Sequence, residues 1–263
     1  MRRSTSTRRR PSWRPRCCGC CVGDPRSPVL LHVPHAGTRI PAWTRPHLLP
    51  DDAALAVEIA ALTDHRTDAV AASAAAAARV PPWVLVNPVS RFVVDVERFP
   101  DDREEMAAVG MAAVYTHGTR GQRIRADDAA HREALLAAFY APWASAVEEA
   151  VTGRIAATGR CVLLDVHSYA TAPLPYELHA SGPRPRICLG TDPVHTPPWL
   201  VDAARTAFGA DVALDTPFSG AYVPLSRYGV DARVSALMVE VRRDVPDAGV
   251  VAALTALIDA VGA

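Results

Sequence analysis

Two histidines at the ends of short apolar runs are the chain's clearest chemical signal. Val29 to Leu31 leads through His32, Val33 and Pro34 to His35. Cys161-Val-Leu-Leu-Asp-Val leads in the same way to His167, with Asp165 two residues before it. Apolar runs of this length suit buried strands. Pro34 cannot donate to a sheet ladder, so the first strand should stop there, and Gly37 permits a tight turn. Both rings would then stand at carboxyl ends of strands, where α/β proteins bind ligands. Neutral imidazoles there can hold a metal or move a proton, and two such strands can place both rings on one ion. Taken singly, such a histidine reads first as a cap of its turn by hydrogen bonding, and it is the second stretch of the same form that favours a site.

Zinc needs three or four ligands, usually His, Cys, Asp or Glu. Carboxylates come from Leu62-Thr-Asp-His-Arg-Thr-Asp-Ala-Val70, in which Asp64 and Asp68 are four apart. On a helix over about 64–79 they would share a face. Anions at a helix start are also favoured by the dipole alone. Glu240 lies inside the apolar run Ala236 to Val241. Buried glutamates are rare without a partner, and a raised pKa in such a place suits a general acid/base; the alternative is a salt bridge to Arg242, Arg243 or another arginine. Arg91, Asp95 and Arg98 interrupt an apolar neighbourhood. They read either as an internal ion-pair network or as guanidinium donors for a substrate carboxylate.

The elements needed to position these groups follow from the pattern. A helix over 53–62 is capped by Asp51 or Asp52, and Pro81-Pro82 ends the helix that follows. Trp83 to Val86 is a short strand, and the alternation from Phe92 to Glu97 gives another strand signal. Asp127 to Val151 is a long helix that Pro142 should bend or divide, with His131 on its solvated side. Strands follow at 161–166, 186–189 and 236–241, with helices at 198–208 and 249–261. The Pro- and Gly-rich stretch Tyr169 to Pro185 is a loop placed to shape a pocket. Gly118-Thr-Arg-Gly-Gln-Arg123 lacks the Gly-Lys-Ser/Thr ending of a phosphate-binding loop. Strands alternating with helices indicate an α/β protein with a mixed, mostly parallel central sheet and helices on both faces.

Composition sets the outer bounds. With 263 residues, 49% hydrophobic and 21% charged, the chain can bury one full core. The formal net charge is zero, which gives no bulk electrostatic case for nucleic acid or an anionic membrane. No apolar run reaches the length of a membrane span. Residues 1–26 differ from the rest. They are basic, hold Cys17, Cys18, Cys20 and Cys21, and have neither a secretory apolar stretch nor a matching second half of a zinc motif. They are expected to be a disordered leader, with a single catalytic domain over 27–263. Cys161 and Cys188 sit in apolar runs and read as buried free thiols in a reducing, cytoplasmic setting.

In order along the chain, the motifs resemble the N-formylglutamate amidohydrolases. The matching segments are Val33-Pro-His-Ala-Gly37 with Pro41, Thr63-Asp-x-x-Thr-Asp68, Ser90-Arg-Phe-Val-Val-Asp95 with Arg98, Leu164-Asp-Val-His-Ser168, Leu189-Gly-Thr-Asp192, Pro217-Phe-Ser-Gly220 and Val239-Glu-Val-Arg242. The resemblance implies a fold like that of the zinc carboxypeptidases. It implies zinc, or another divalent metal, held near His35, an acidic residue and His167, with Glu240 as the catalytic glutamate. Asp64 is preferred to Asp68 as the carboxylate ligand, because it would stand nearer the strand edge; Asp68 is the alternative or a support for the ligand. Arg91, Asp95, Arg98, Ser168 and Arg242 are the expected contacts to an N-formyl or similar N-acyl amino acid, a small-molecule substrate met in histidine breakdown. The sequence departs from the family pattern at Glu97, which stands before Arg98 where Asn is usual, and in the short Pro-rich loop after Tyr169.

Two other functions compete with a metal-dependent amidase. A serine hydrolase would use Ser168 or Ser219, but no Gly-x-Ser-x-Gly elbow occurs. A binding protein that kept the fold and lost the reaction is the other, and His35, His167 and Glu240 argue against it.

Overall fold

The computed structural model describes residues 23–178, 180–209 and 211–263. Six strands form one sheet: β1 (Val29–Val33), β2 (Trp83–Val86), β3 (Cys161–Tyr169), β4 (Ile187–Gly190), β5 (Val212–Leu214) and β6 (Val234–Arg242). Their order is β2-β1-β3-β6-β4-β5, with every neighbouring pair parallel except β4 and β6. This is the expected α/β class with a mixed, mostly parallel sheet. The central strands β1 and β3 are buried along their whole length, which explains their nearly unbroken apolar sequence.

Alternate residues feed two cores. Val29, Leu31 and Val33 of β1, with Val162, Leu164 and Val166 of β3, pack under α2 (Thr67–Ala77), α5 (Pro198–Phe208) and α6 (Asp247–Val261). Leu30, Leu163 and Ala236 pack on the other face against α4 (Ala141–Thr158), through Trp143, Val147 and Val151. His32, Asp165, His167 and Glu240 share the parity of this second set, and therefore project on the α4 side. A third cluster, built by Leu55 and Leu62 of α1 (Asp52–Leu62) with Phe92, Met106, Met111, Tyr115 and Ile124, closes the chain's longest excursion.

Several local expectations change for physical reasons. Residues 92–97 form no strand. Phe92 packs into the third core and Val93, Val94 and Val96 into the second, so the segment is buried on both sides without a ladder partner. Buried carbonyls still need donors, and the Arg125 guanidinium supplies them to Phe92 O and Val93 O. Asp64 and Asp68 do not share a helix. Leu62 ends α1, Arg66 takes a left-handed conformation at φ 65°, and α2 starts at Thr67.

The Asp127–Val151 pattern divides into α3 (Ala129–Leu135), a π-helical turn over Leu136–Tyr140, and α4, with Pro142 in the first turn of α4 directly after the π-helical turn. His131 is buried rather than solvated, and its ring stacks on His47 at 3.7 Å between centroids. Gly37 serves close approach rather than a special turn, because a Cβ there would meet Pro88 C at 2.4 Å.

The leader expected over 1–26 falls largely outside the described residues, Cys17 to Cys21 included. Residues 23–26 pack on the domain: Asp24 N–H donates to Pro81 O, and the Trp83 indole donates to Asp24 O. Cys161 and Cys188 are buried free thiols. No helix of the described residues is long and apolar enough to cross a membrane.

Candidate active site

The sheet register places the chemistry. His32 lies directly beside Asp165 across β1 and β3, and His167 lies beside Glu240 across β3 and β6. His35 follows β1 by two residues. Its carbonyl accepts from Asp64 N–H at 3.0 Å, which draws the α1–α2 turn over the strand end. Arg243 holds the same turn by donating to Ala61 O and Thr63 O. Asn87 steadies the β1 exit by donating to Pro34 O at 3.0 Å.

These ties bring Asp64 Oδ2 within 2.9 Å of His167 Nδ1 and 3.7 Å of His35 Nδ1, while the two Nδ1 atoms are 3.3 Å apart. His35 Nε2–H donates to Asp95 Oδ1 at 2.9 Å. Asp95 is fully buried, and its other oxygen accepts from Arg91 at 2.7 Å and from the Tyr115 hydroxyl. Arg98 Nε is 3.6 Å from that oxygen, and its Nη1 is 3.5 Å from Glu104. Glu97 reaches between the histidines, with Oε2 3.5 Å from His35 Nδ1 and 3.4 Å from His167 Nε2.

Under this group lies a second one. His32 Nδ1 is 2.8 Å from Asp165 Oδ1 and 3.4 Å from Glu97 Oε1. Trp143 Nε1–H donates to His32 Nε2 at 3.1 Å, and Tyr222 stacks on the His32 ring.

The His35–His167 group opens into a cavity of about 360 Å³. Glu240, Ser168, Arg91, Arg98 and Arg243 join its wall, together with the rings of Phe99, Tyr140, Tyr176, Phe218, Tyr222 and Tyr228. The loop after Tyr169 contributes Leu174 and Tyr176 and is anchored by Arg184, which donates to Glu177 and to Ala170 O.

Electrostatics at the inner end favour bound positive charge. Burial lowers the pKa of His167, but Asp165 and Glu97 outweigh it and raise it well above the usual imidazole range. Burial and Arg91 also pull His35 down, and Asp95 and Glu97 reverse the sign. Burial would raise Asp64, yet His167 and His35 hold it well below the carboxylate range. For Glu240 burial wins: desolvation pushes its carboxyl up to about 8, with Asp64 adding to the effect and His167 opposing it. Its Oε2 is buried without a hydrogen-bond partner. His32 feels two opposed influences. Burial lowers it and Asp165 raises it, giving about 9, whereas an imidazolium would have no lone pair for the Trp143 N–H. The hydrogen bond assigns the neutral form.

The site thus gathers His35, Asp64, His167, Glu240, Arg91, Arg98 and Ser168. Asp95 belongs to it from behind His35, with its carboxylate saturated, rather than as a surface for substrate. Asp68 is exposed and its carboxylate accepts from Ala69 N–H beside it, so it is not part of the cluster. Arg242 turns away to Asp244 at 2.7 Å, and Arg243 takes the place at the cavity wall. Sequence reasoning gave no site role to His32, Glu97, Tyr115 or Trp143. For Glu97 the signal was its spacing of two from Asp95; His32, Tyr115 and Trp143 look like ordinary core residues in one dimension.

The buried His/carboxylate cluster stands at the carboxyl edge of the sheet, and the family match makes the chain a hydrolase acting on amide C–N bonds. The match is specific: residues 27–245 fit the family model of N-formylglutamate amidohydrolase, and the chain belongs to that family. Among solved structures, the fold is similar to the N-formylglutamate amidohydrolase of Ralstonia eutropha JMP134, with a TM-score of 0.73 at 21% identity over 90% of this chain and 93% of that one. It is also similar to a gene product of Agrobacterium tumefaciens, with a TM-score of 0.67 at 21% identity over 90% and 89% of the two chains. No curated protein matches the sequence.

Proposed function

We propose that the cavity hydrolyses the amide of an N-formyl or similar N-acyl amino acid, with a divalent metal, zinc by its donor set, held by His35, Asp64 and His167. The observation that carries this reading is the convergence of two Nδ1 atoms and one carboxylate oxygen at 2.9–3.7 Å beside the unpartnered Glu240. Ligands at zinc distances of 2.0–2.1 Å in a tetrahedron stand about 3.3 Å apart, so these donors need little movement to meet one ion. The surrounding carboxylates supply the negative charge that such an ion neutralises. A metal bound there would polarise the amide carbonyl and lower the pKa of water.

The chain's own groups supply the rest. Asp95 accepts the Nε2 proton of His35 and leaves Nδ1 free to face Asp64. Glu240, buried and facing the cavity next to His167, takes the proton of the attacking water and returns it to the leaving amine. Arg98 is placed to receive the substrate carboxylate: it lines the cavity and its side chain is 27% exposed. Arg91 spends Nε and Nη2 on Asp95, and it steadies that carboxylate more than it offers donors to substrate. The aromatic wall excludes water around the scissile bond. Ser168 Oγ has no hydrogen-bond partner, hence no base positioned to activate it as a nucleophile.

The test is metal content and turnover measured on one preparation with N-formyl, N-acetyl and N-succinyl amino acids as substrates. Bound zinc, with activity lost to chelator and restored by zinc, is expected. Full activity in protein stripped of divalent ions would refute the reading.

A further inference from the structure

The buried group beneath the cavity has its own logic. His32 is inaccessible to solvent, and both of its ring nitrogens are engaged. An indole N–H can only donate, so the contact from Trp143 Nε1 at 3.1 Å requires a lone pair on His32 Nε2. A neutral imidazole with its lone pair on Nε2 carries its proton on Nδ1, which lies 2.8 Å from Asp165 Oδ1. That same carboxylate oxygen is 3.1 Å from His167 Nε2, within reach of an N–H there although the angle between them does not yet make a hydrogen bond. Tyr222, stacked at 4.6 Å, and Trp143, tilted at 5.4 Å, fix the plane of the His32 ring.

We propose that His32 is a positioning residue for His167. Trp143 locks it as the Nδ1–H tautomer, and it holds Asp165 against His167 Nε2 so that His167 turns its Nδ1 toward Asp64 and His35. This rests on the reading of His167 as a metal ligand. A histidine that ligates through Nδ1 must keep its proton on Nε2 and find an acceptor for it. Asp165 Oδ1 is the nearest acceptor, and Glu97 Oε2 at 3.4 Å is the next. Without the His32 N–H, Asp165 would lose the hydrogen bond that fixes its carboxylate and be free to rotate away.

The commitment of the His32 lone pair also rules out a competing use of these residues. His32, Glu97 and Asp165 are spaced closely enough to hold an ion themselves. The one lone pair of His32 is already committed to Trp143, so His32 serves the upper site instead of forming another.

The assignment is tested first on the protein without metal. Long-range ¹H–¹⁵N spectra should show His32 protonated on Nδ1 and unprotonated on Nε2 at neutral pH. A proton on Nε2, or on both nitrogens, would overturn the proposal. The second measurement is zinc affinity by competition with a chelating dye, alongside melting temperature. His32→Asn places an amide N–H where Nδ1 stood and should keep zinc affinity within about threefold of wild type. His32→Leu removes the donor and should weaken it ~10–100-fold. Equal affinity in His32→Leu and wild type would refute a positioning role, as would equal losses in the Asn and Leu variants. Should His32→Leu not fold, Trp143→Phe keeps an aromatic ring but removes the indole N–H and should let the other His32 tautomer appear in the spectra; an unchanged tautomer would count against the lock. Wild-type protein that binds no zinc would overturn the ligand reading itself, an outcome distinct from tight zinc binding that is indifferent to His32.

Discussion

Two neighbouring groups in this protein use the same residue types to opposite ends. The lower one, His32 with Asp165 and Trp143, is closed: both imidazole nitrogens are hydrogen-bonded and the rings of Trp143 and Tyr222 cover it. The upper one, His35 and His167 with Asp64 and Glu240, borders the cavity and is left incomplete. Glu240 Oε2 is buried without a hydrogen bond, and the two Nδ1 atoms face each other at 3.3 Å around a single carboxylate oxygen. Buried polar groups are normally satisfied, so the upper group is the one that asks for a ligand. Histidine at a strand end is not enough to mark a site; the distinction lies in which lone pairs remain uncommitted.

The comparison can be broken most decisively at the upper histidines. His35→Ala or His167→Ala should abolish bound metal and turnover together, read by elemental analysis and amide hydrolysis. Either variant retaining its metal would make the two groups alike after all. Glu240→Gln should keep the metal and lower turnover by ~10²-fold or more, as for loss of a general acid/base. Loss of metal instead would make Glu240 a ligand.

The lower group should respond in stability. Trp143→Ala empties a fully buried position on α4 and should cost about 3–5 kcal/mol in denaturant unfolding; a cost under about 1 kcal/mol would show that this group is not packed as described. The two arginines sharpen the boundary between the groups. Arg91→Ala leaves Asp95 short of its closest cation and should lower the melting temperature, whereas Arg98→Ala should mainly raise KM. The reverse pattern would exchange their roles. The smallest effect is expected at Arg242→Ala, outside the cavity on an exposed pair with Asp244, with turnover within about twofold of wild type.

Much of this was legible in one dimension because strands β1, β3 and β6 announce themselves locally. Their apolar runs end in His35, after His167 and around Glu240, and a parallel sheet brings such ends to one edge. The segment around Asp95 was misread as a strand because its alternation is real, but the two sides face two different cores and Arg125 replaces a strand as the donor to its carbonyls. His131 looked solvated because nothing in sequence shows that His47 would stack on it.

The sequence by itself determined the α/β class, the family and the residue types of the site, since these depend on short-range pattern and on motifs in order. Tertiary structure alone decided which groups meet. Asp64 enters the site and Asp68 does not because Arg66 breaks the helix and the Asp64 backbone bonds to His35. Arg243 replaces Arg242 at the wall because the chain turns as β6 ends. Asp165 falls to His32 because the register of β1 against β3 places them side by side, and Trp143 reaches His32 from more than a hundred residues away along the chain. Local propensity carries no information about such pairings; they are set by strand register and by the packing of α4 on the sheet, which minimise unsatisfied polar groups over the whole fold at once.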